Sequence, residues 1–216
     1  MPQHTQLSVI ELEEFFQLLP RIYADWRNEA RGQLQMLYLF SQTIDNEHSV
    51  FLRAIKMANA GMVKQIGIAE GEKGHGYEGF DHSVEHLKNL GWRGDVPIVK
   101  FDLKGNVNTL GEARALAKYA FAHDGDIGIV APAFHLVRAF MTTVTAVGAL
   151  PIRVYSYPGV SIPWNTRAAH SQGTLVNTRS GLLVDELKRL EKYRAPEYGR
   201  MCTAREVRKY LDWRDC

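Results

Sequence analysis

The sequence predicts a doubly wound, Rossmann-like α/β fold: a mostly parallel five-stranded sheet with extra helices toward the N- and C-terminal ends. Five short apolar runs have the character of buried strands, at 35–40, 64–69, 96–102, 127–131 and 151–155. Segments with helical spacing of apolar residues separate these runs, for example 110–121 and 134–147. Because parallel neighbours need such crossover connections, the helices are expected to cover both faces of the sheet. The length of 216 residues suits one such unit with additions.

Helical additions are predicted on either side of this alternating pattern. An acidic amphipathic stretch near the N-terminus predicts a helix that docks Ile10, Phe15, Leu18 and Leu19 onto the main body. After the fifth strand, a Gly-, Ser-, Asn- and Thr-rich segment runs to Gly181, which indicates a lid or binding loop, or otherwise a flexible connector. Helices are predicted at 182–193 and 203–213. We therefore divide the chain into a helical extension (1–32), a Rossmann-like core (33–160), and a loop with C-terminal helices packed on the core (161–216).

Composition excludes several classes of protein. The chain has 26 Lys and Arg against 24 Asp and Glu, a net charge of +2, which is too small to indicate a nucleic-acid partner. No apolar run approaches the roughly 20 residues that span a bilayer, so no membrane span is expected. The two cysteines, Cys202 and Cys216, can form neither a disulfide framework nor a four-cysteine metal site. We expect a cytoplasmic protein.

The candidate site residues follow the predicted strands, because ligands of doubly wound sheets bind beyond the carboxyl ends of the strands. After the first strand, Ser41 and Asp45 offer a hydroxyl and a carboxylate, as helix caps or as ligand contacts. After the second strand, Glu70 is a candidate acid or base, and Gly71 opens a glycine-rich loop, 71–79, that is a candidate flap.

The glycine-rich loop also allows a dinucleotide reading, in which Gly74, Gly76 and Gly79 satisfy G-x-G-x-x-G and Asp102 stands where a ribose-binding acid is expected. Additional residues separate the strand from the first of these glycines, so the helix N-terminus would be displaced from the strand end. On the next helix, His82 and His86 lie one turn apart, a spacing that can bind zinc. The sequence places no third ligand beside them, so we assign no metal site.

The third and fourth junctions carry the most specific pattern. Thr109 and Glu112 have capping-box spacing, which predicts a helix start whose positive dipole end favours an anion, with Asn108 orienting a ligand oxygen. After the fourth strand, His135 and Arg138 project from one face of a helix, an arrangement suited to phosphate or carboxylate. If chemistry occurs, His135 is the general acid or base and Arg138 stabilises developing negative charge.

These two junctions resemble the paired signatures of the ElyC/SanA/YdcF family. Residues 108–113, Asn-Thr-Leu-Gly-Glu-Ala, resemble N-T-x-x-E, and residues 130–139, Val-Ala-Pro-Ala-Phe-His-Leu-Val-Arg-Ala, resemble T-S-x-F-H-x-x-R-A with Pro132 in place of the serine. Without a membrane anchor, the chain is similar to the soluble, cytoplasmic YdcF-like branch. The resemblance implies an adenine-containing ligand, with S-adenosylmethionine a candidate, and no single reaction.

The sequence therefore predicts a YdcF-like protein that binds a small anionic, phosphorylated or nucleotide-like ligand, with hydrolysis or group transfer as the reaction classes. A non-catalytic regulatory module is the alternative, favoured because no G-x-S-x-G elbow, P-loop or paired catalytic cysteine can be placed. A nicotinamide-dependent oxidoreductase is the third hypothesis. The cofactor, the dependence on a metal and the oligomeric state stay open.

Overall fold

A five-stranded parallel sheet with strand order β3-β2-β1-β4-β5 forms the centre of the molecule. The computed structural model describes residues 9–25, 32–40, 43–71, 73–74, 76–103, 108–170 and 175–216. The strands are β1 (Met36–Leu39), β2 (Ile66–Glu70), β3 (Ile98–Asp102), β4 (Ile127–Ala131) and β5 (Val154–Pro158), connected by α2 (Ile44–Asn59), α3 (Phe80–Asn89), α4 (Thr109–His123) and α5 (Ala133–Val147). This topology confirms the predicted doubly wound, Rossmann-like α/β fold.

The central strands are apolar on both faces because helices cover both faces. Every residue of β1 and β4 is buried, as expected for parallel strands in the middle of such a sheet. Along β1, Met36 and Tyr38 belong to one apolar cluster, and Leu37 and Leu39 belong to the other. The alternating side chains of one strand therefore join two cores, one on each face of the sheet.

Three further helices pack on this core: α1 (Val9–Tyr23), α6 (Arg179–Tyr193) and α7 (Ala204–Asp215). Phe15 and Leu18 of α1 are buried in the same cluster as α5 and α7, and Leu19 packs against it, while the side chain of Ile10 lies outside the described residues. The division of the chain at 32 and 160 stays a prediction. Among the described helices, none combines the length and the apolar character needed to cross a bilayer.

The long segment after β5 contains a small hairpin that the sequence analysis missed. Its strands β6 (Arg167–Ala169) and β7 (Val176–Thr178) pair antiparallel, and α6 begins directly afterwards at Arg179, three residues before the predicted start. The Ala169 amide donates to Asp45 Oδ2 at 2.9 Å, and Asn46 Nδ2 donates to the Ala169 carbonyl at 3.0 Å. The described part of this segment is therefore attached to the first turn of α2 rather than forming a flexible connector.

Candidate functional site

The strand-to-helix junctions before α4 and α5 are joined by a contact between the side chains of Thr109 and Arg138. Arg138 Nη1 donates to Thr109 Oγ1 at 2.9 Å. Arg138 lies in the second turn of α5, and Thr109 is the first residue of α4. The two strand-to-helix junctions that carry the family resemblance therefore share one location.

Behind this contact, Arg138 belongs to a buried cluster around Glu186, which we call the Glu186 cluster. It consists of Glu186 from α6, Arg138 and His135 from α5, and His170, which follows β6. The Arg138 guanidinium donates to both oxygens of Glu186, and His170 Nε2 contacts Glu186 Oε1. His135 Nδ1 lies 3.2 Å from Glu186 Oε2. The carboxylate is thus shared by three partners.

Burial sets the charge state of this cluster. His135 is 1% exposed, and burial together with the positive charge of Arg138 lowers the pKa of its imidazole to about 4. Burial by itself would raise the pKa of Glu186, but Arg138 and His135 hold it well below its ordinary value. The cluster is therefore an internal ion pair with a neutral His135, and the charge of Arg138 is already balanced from within the protein.

Arg138 also lines a cavity of about 710 Å³ that lies between the start of α4 and the end of α6, the α4–α6 cavity. The turn after α6 closes one side of the cavity, because Gly199 lies close to Leu110 and Arg114 of α4. A side-chain carbon added at Gly199 would lie 2.7 Å from Leu110 Cδ2 and 4.0 Å from Arg114 Nη2. The polar part of the wall includes Asn108, Thr109, Arg114, Arg138, Lys192, Tyr193, Glu197 and Tyr198. His135 is not part of this wall.

The predicted capping box at Thr109 and Glu112 is wrong, because the helix is capped one residue earlier. Asn108 has an extended backbone, and its Oδ1 accepts from the amides of Leu110 and Gly111 at 3.1 and 2.9 Å. Glu112 points into the core, where the Tyr38 hydroxyl donates to its Oε1 at 3.2 Å. The cap occupies two amides that were expected to face a ligand, while the positive dipole end of α4 remains beside the cavity.

The structure places Glu70 and Gly71 elsewhere. Both line a second cavity, of about 780 Å³, at the carboxyl ends of β2 and β3, the β2–β3 cavity. Glu70 pairs there with Lys100 Nζ at 2.7 Å. Since β1 lies between β2 and β4 in the sheet, Glu70 is on the far side of β1 from the start of α5.

The described residues of the glycine-rich loop do not adopt the geometry of a dinucleotide-binding turn. The strand β2 ends at Glu70 and α3 begins at Phe80, so nine residues separate them. Gly74 and Tyr77 exchange two backbone hydrogen bonds and close a turn within the loop itself. A dinucleotide fingerprint needs its first glycine at the strand end, and this arrangement gives the nicotinamide hypothesis no support.

At the first junction, the described residues contact other parts of the protein. Ser41 lies outside the described residues. Asp45 accepts from the Ala169 amide through Oδ2, and its backbone carbonyl accepts from Arg179 Nη2 at 2.8 Å. The carboxylate that was predicted to bind a ligand therefore attaches the β6–β7 hairpin to α2.

The structure supplies the third group that the sequence could not place beside His82 and His86. Glu47, from the first turns of α2, brings its Oε1 to 2.8 Å from His82 Nε2 and to 2.6 Å from His86 Nδ1. The pairing joins residues more than 30 positions apart, and it depends on how α2 packs against α3.

Glu186 is the central residue that the sequence analysis did not single out. It stands between Leu182 and Leu190 on the buried stripe of α6, one turn from each. A carboxylate on an apolar stripe indicates a buried ionic partner, because an isolated buried charge is too costly. That signal predicts a partner without naming it.

Together, these features define a class: a doubly wound α/β protein with a cavity lined by basic and aromatic side chains at the start of α4. Comparisons with family models, with curated proteins and with solved structures find no match. The similarity to the ElyC/SanA/YdcF family therefore stays a prediction based on the motifs at 108–113 and 130–139.

Proposed function

We propose that the protein binds a small anionic ligand, phosphorylated or nucleotide-like, in the α4–α6 cavity. The observation that carries this proposal is the charge of the wall, where Arg114, Arg138 and Lys192 stand against the single acidic side chain of Glu197 among the described lining residues. The dipole of α4 adds positive potential at the same end of the cavity. Because Glu186 already balances Arg138, the anion would be held mainly by Arg114 and Lys192.

Aromatic side chains favour a ligand with a flat ring as well as a phosphate. Tyr193 and Tyr198 both line the cavity, with ring centroids 5.9 Å apart, and Lys192 Nζ lies 4.7 Å from the centre of the Tyr198 ring. The volume of about 710 Å³ is within the range of small-molecule sites. S-adenosylmethionine carries a sulfonium and an ammonium against one carboxylate, so these lysine and arginine side chains favour a phosphorylated nucleotide over it.

Binding without turnover fits this geometry better than hydrolysis or group transfer. The imidazole proposed as acid or base, His135, is buried behind Arg138 and outside the cavity wall. For His135 to act on a ligand in the cavity, the side chains of the Glu186 cluster would have to move apart and expose its imidazole. We therefore favour the regulatory module, with His135 holding the Arg138–Glu186 pair in place. We also propose a cytoplasmic location, because free thiols such as those of Cys202 and Cys216 persist there.

The test is calorimetric titration of the purified protein with inorganic phosphate, AMP and S-adenosylmethionine. We expect AMP to bind most tightly of the three. Arg114→Ala removes a charged donor from the wall and should weaken AMP binding by about tenfold to a hundredfold, the effect of losing one charge-assisted hydrogen bond.

Lys118→Ala is the matched control, because Lys118 lies one turn further along α4, is exposed and is outside the cavity wall. The proposal predicts unchanged AMP binding in this variant. If AMP does not bind, or if both variants lose the same affinity, the cavity is not the site. Mass spectrometry of the titrated AMP distinguishes binding from turnover, since a converted product would reject the regulatory module.

A further inference from the structure

We propose that Glu47, His82 and His86 form a zinc-binding site, the Glu47 triad, where the first turns of α2 meet α3. The triad shares no residue with the α4–α6 cavity, so this inference does not depend on the proposed function. Its three candidate ligand atoms, one from each side chain, all lie within 4.8 Å of one another.

The present spacing is close to what a tetrahedral ion requires. Ligand atoms about 2.1 Å from zinc, at tetrahedral angles, lie about 3.4 Å apart. Glu47 Oε1 now lies 2.8 Å from His82 Nε2 and 2.6 Å from His86 Nδ1. Widening these two contacts by about 0.6 to 0.8 Å would bring them to the tetrahedral spacing. The third pair of ligand atoms, on His82 and His86, lies within 4.8 Å.

The donor set selects the kind of ion. Two imidazole nitrogens and one carboxylate are ligands of zinc and related transition ions, whereas Mg²⁺ and Ca²⁺ prefer sites made of oxygen atoms. Binding requires each imidazole to carry its proton on the nitrogen that faces away from the ion, which neutral histidine achieves by changing its tautomer.

The carboxylate is fixed in position and the imidazoles are accessible. The Glu47 side chain is 2% exposed, while those of His82 and His86 are 36% and 25% exposed. The rings of Phe51 and His86 form a T-shaped pair with centroids 5.4 Å apart, which restricts the orientation of that imidazole. A buried charge with two partly exposed nitrogen ligands gives an ion both a fixed anchor and a way in.

The β2–β3 cavity adjoins the triad at His82. His82 forms part of its wall together with Glu70, Glu78, Asp81 and Asp102, against the two lysines Lys73 and Lys100. This excess of carboxylates attracts cations to the side on which His82 lies. Three protein ligands leave a fourth tetrahedral position for water or another group.

The experiment is calorimetric titration of the full chain, purified without a polyhistidine tag, with Zn²⁺ and separately with Mg²⁺. We expect one Zn²⁺ per chain and no Mg²⁺ binding at the same concentrations. His82→Ala removes a partly exposed ligand, so the fold should persist by circular dichroism. The affinity for Zn²⁺ should fall by more than about a hundredfold, beyond the loss typical of an outer supporting residue.

His86→Ala serves as the second variant and should produce a loss of the same order. His123→Ala is the matched control, because His123 is an exposed histidine in the last turn of α4, outside the triad; it should bind Zn²⁺ like the unmodified protein. The inference is overturned if the unmodified protein binds no Zn²⁺, if it binds Mg²⁺ equally well, or if His82→Ala and His86→Ala both keep the original affinity.

Discussion

The neutral, buried imidazole of His135 makes the stability of the fold depend on pH within a definite interval. Burial and Arg138 lower its pKa from 6.5 to about 4. Between these two values the unfolded chain binds the proton and the folded chain does not, so the free energy of unfolding decreases as the pH falls from about 6.5 to about 4. A pKa difference of about 2.5 units corresponds to about 3 kcal/mol.

Urea unfolding followed by circular dichroism, at about pH 7.5 and about pH 4.5, measures this contribution. We expect the unmodified protein to lose about 2 to 3 kcal/mol more than His135→Asn over that change. The lower pH of about 4.5 is chosen because of Glu186. Its pKa is lowered in the folded protein, so its own contribution to the free energy of unfolding is lost as the pH falls below its ordinary pKa of 4.5. His123→Asn, which removes an exposed histidine from α4, is the control and should follow the unmodified protein. Equal losses in the unmodified protein and His135→Asn would refute the reasoning.

Two further substitutions test the buried ion pair of the Glu186 cluster and the packing against the sheet. Glu186→Gln keeps the shape of the side chain but leaves the buried charge of Arg138 uncompensated, so urea unfolding at about pH 7.5 should show a loss of about 3 to 5 kcal/mol; a loss below about 1 kcal/mol would mean that water already screens the pair. Gly67→Ala places a carbon 2.8 Å from both Met36 Sδ and Phe101 Cε2, and should cost about 1 to 3 kcal/mol. A melting temperature equal to that of the unmodified protein would show that these side chains move aside freely.

The parallel sheet could be predicted because its central strands are apolar on both faces. The runs MLYL and IGIVA contain no charged residue, and each follows a polar one, Gln35 and Asp126. The observed strands lie within about three residues of the predicted ones. The pair β6 and β7 could not be predicted in this way. Each has three residues, with no fully apolar run, and their pairing depends on each other and on α2.

Only the edge of the sheet that carries the candidate site could be predicted. Thr109 and Arg138 both follow strand ends, which places both beyond the carboxyl edge of the sheet. Because β2 and β1 separate β3 from β4, their contact also depends on the packing of α4 against α5. Glu186 and Glu47 join their partners through the packing of whole helices, which no local pattern encodes. The capping box failed for a smaller reason, since Asn108 offers a better cap one position before Thr109.

The β6–β7 hairpin competes with any ligand for the crevice between β1 and β4, where sheets of this topology usually bind one. Ala169 is bonded to the beginning of α2, and His170 is bonded to Glu186 beside α5. The chain thus supplies its own tethered occupant, present at the high effective concentration of any intramolecular partner. A diffusing molecule that enters there has to outcompete a piece of the same polypeptide.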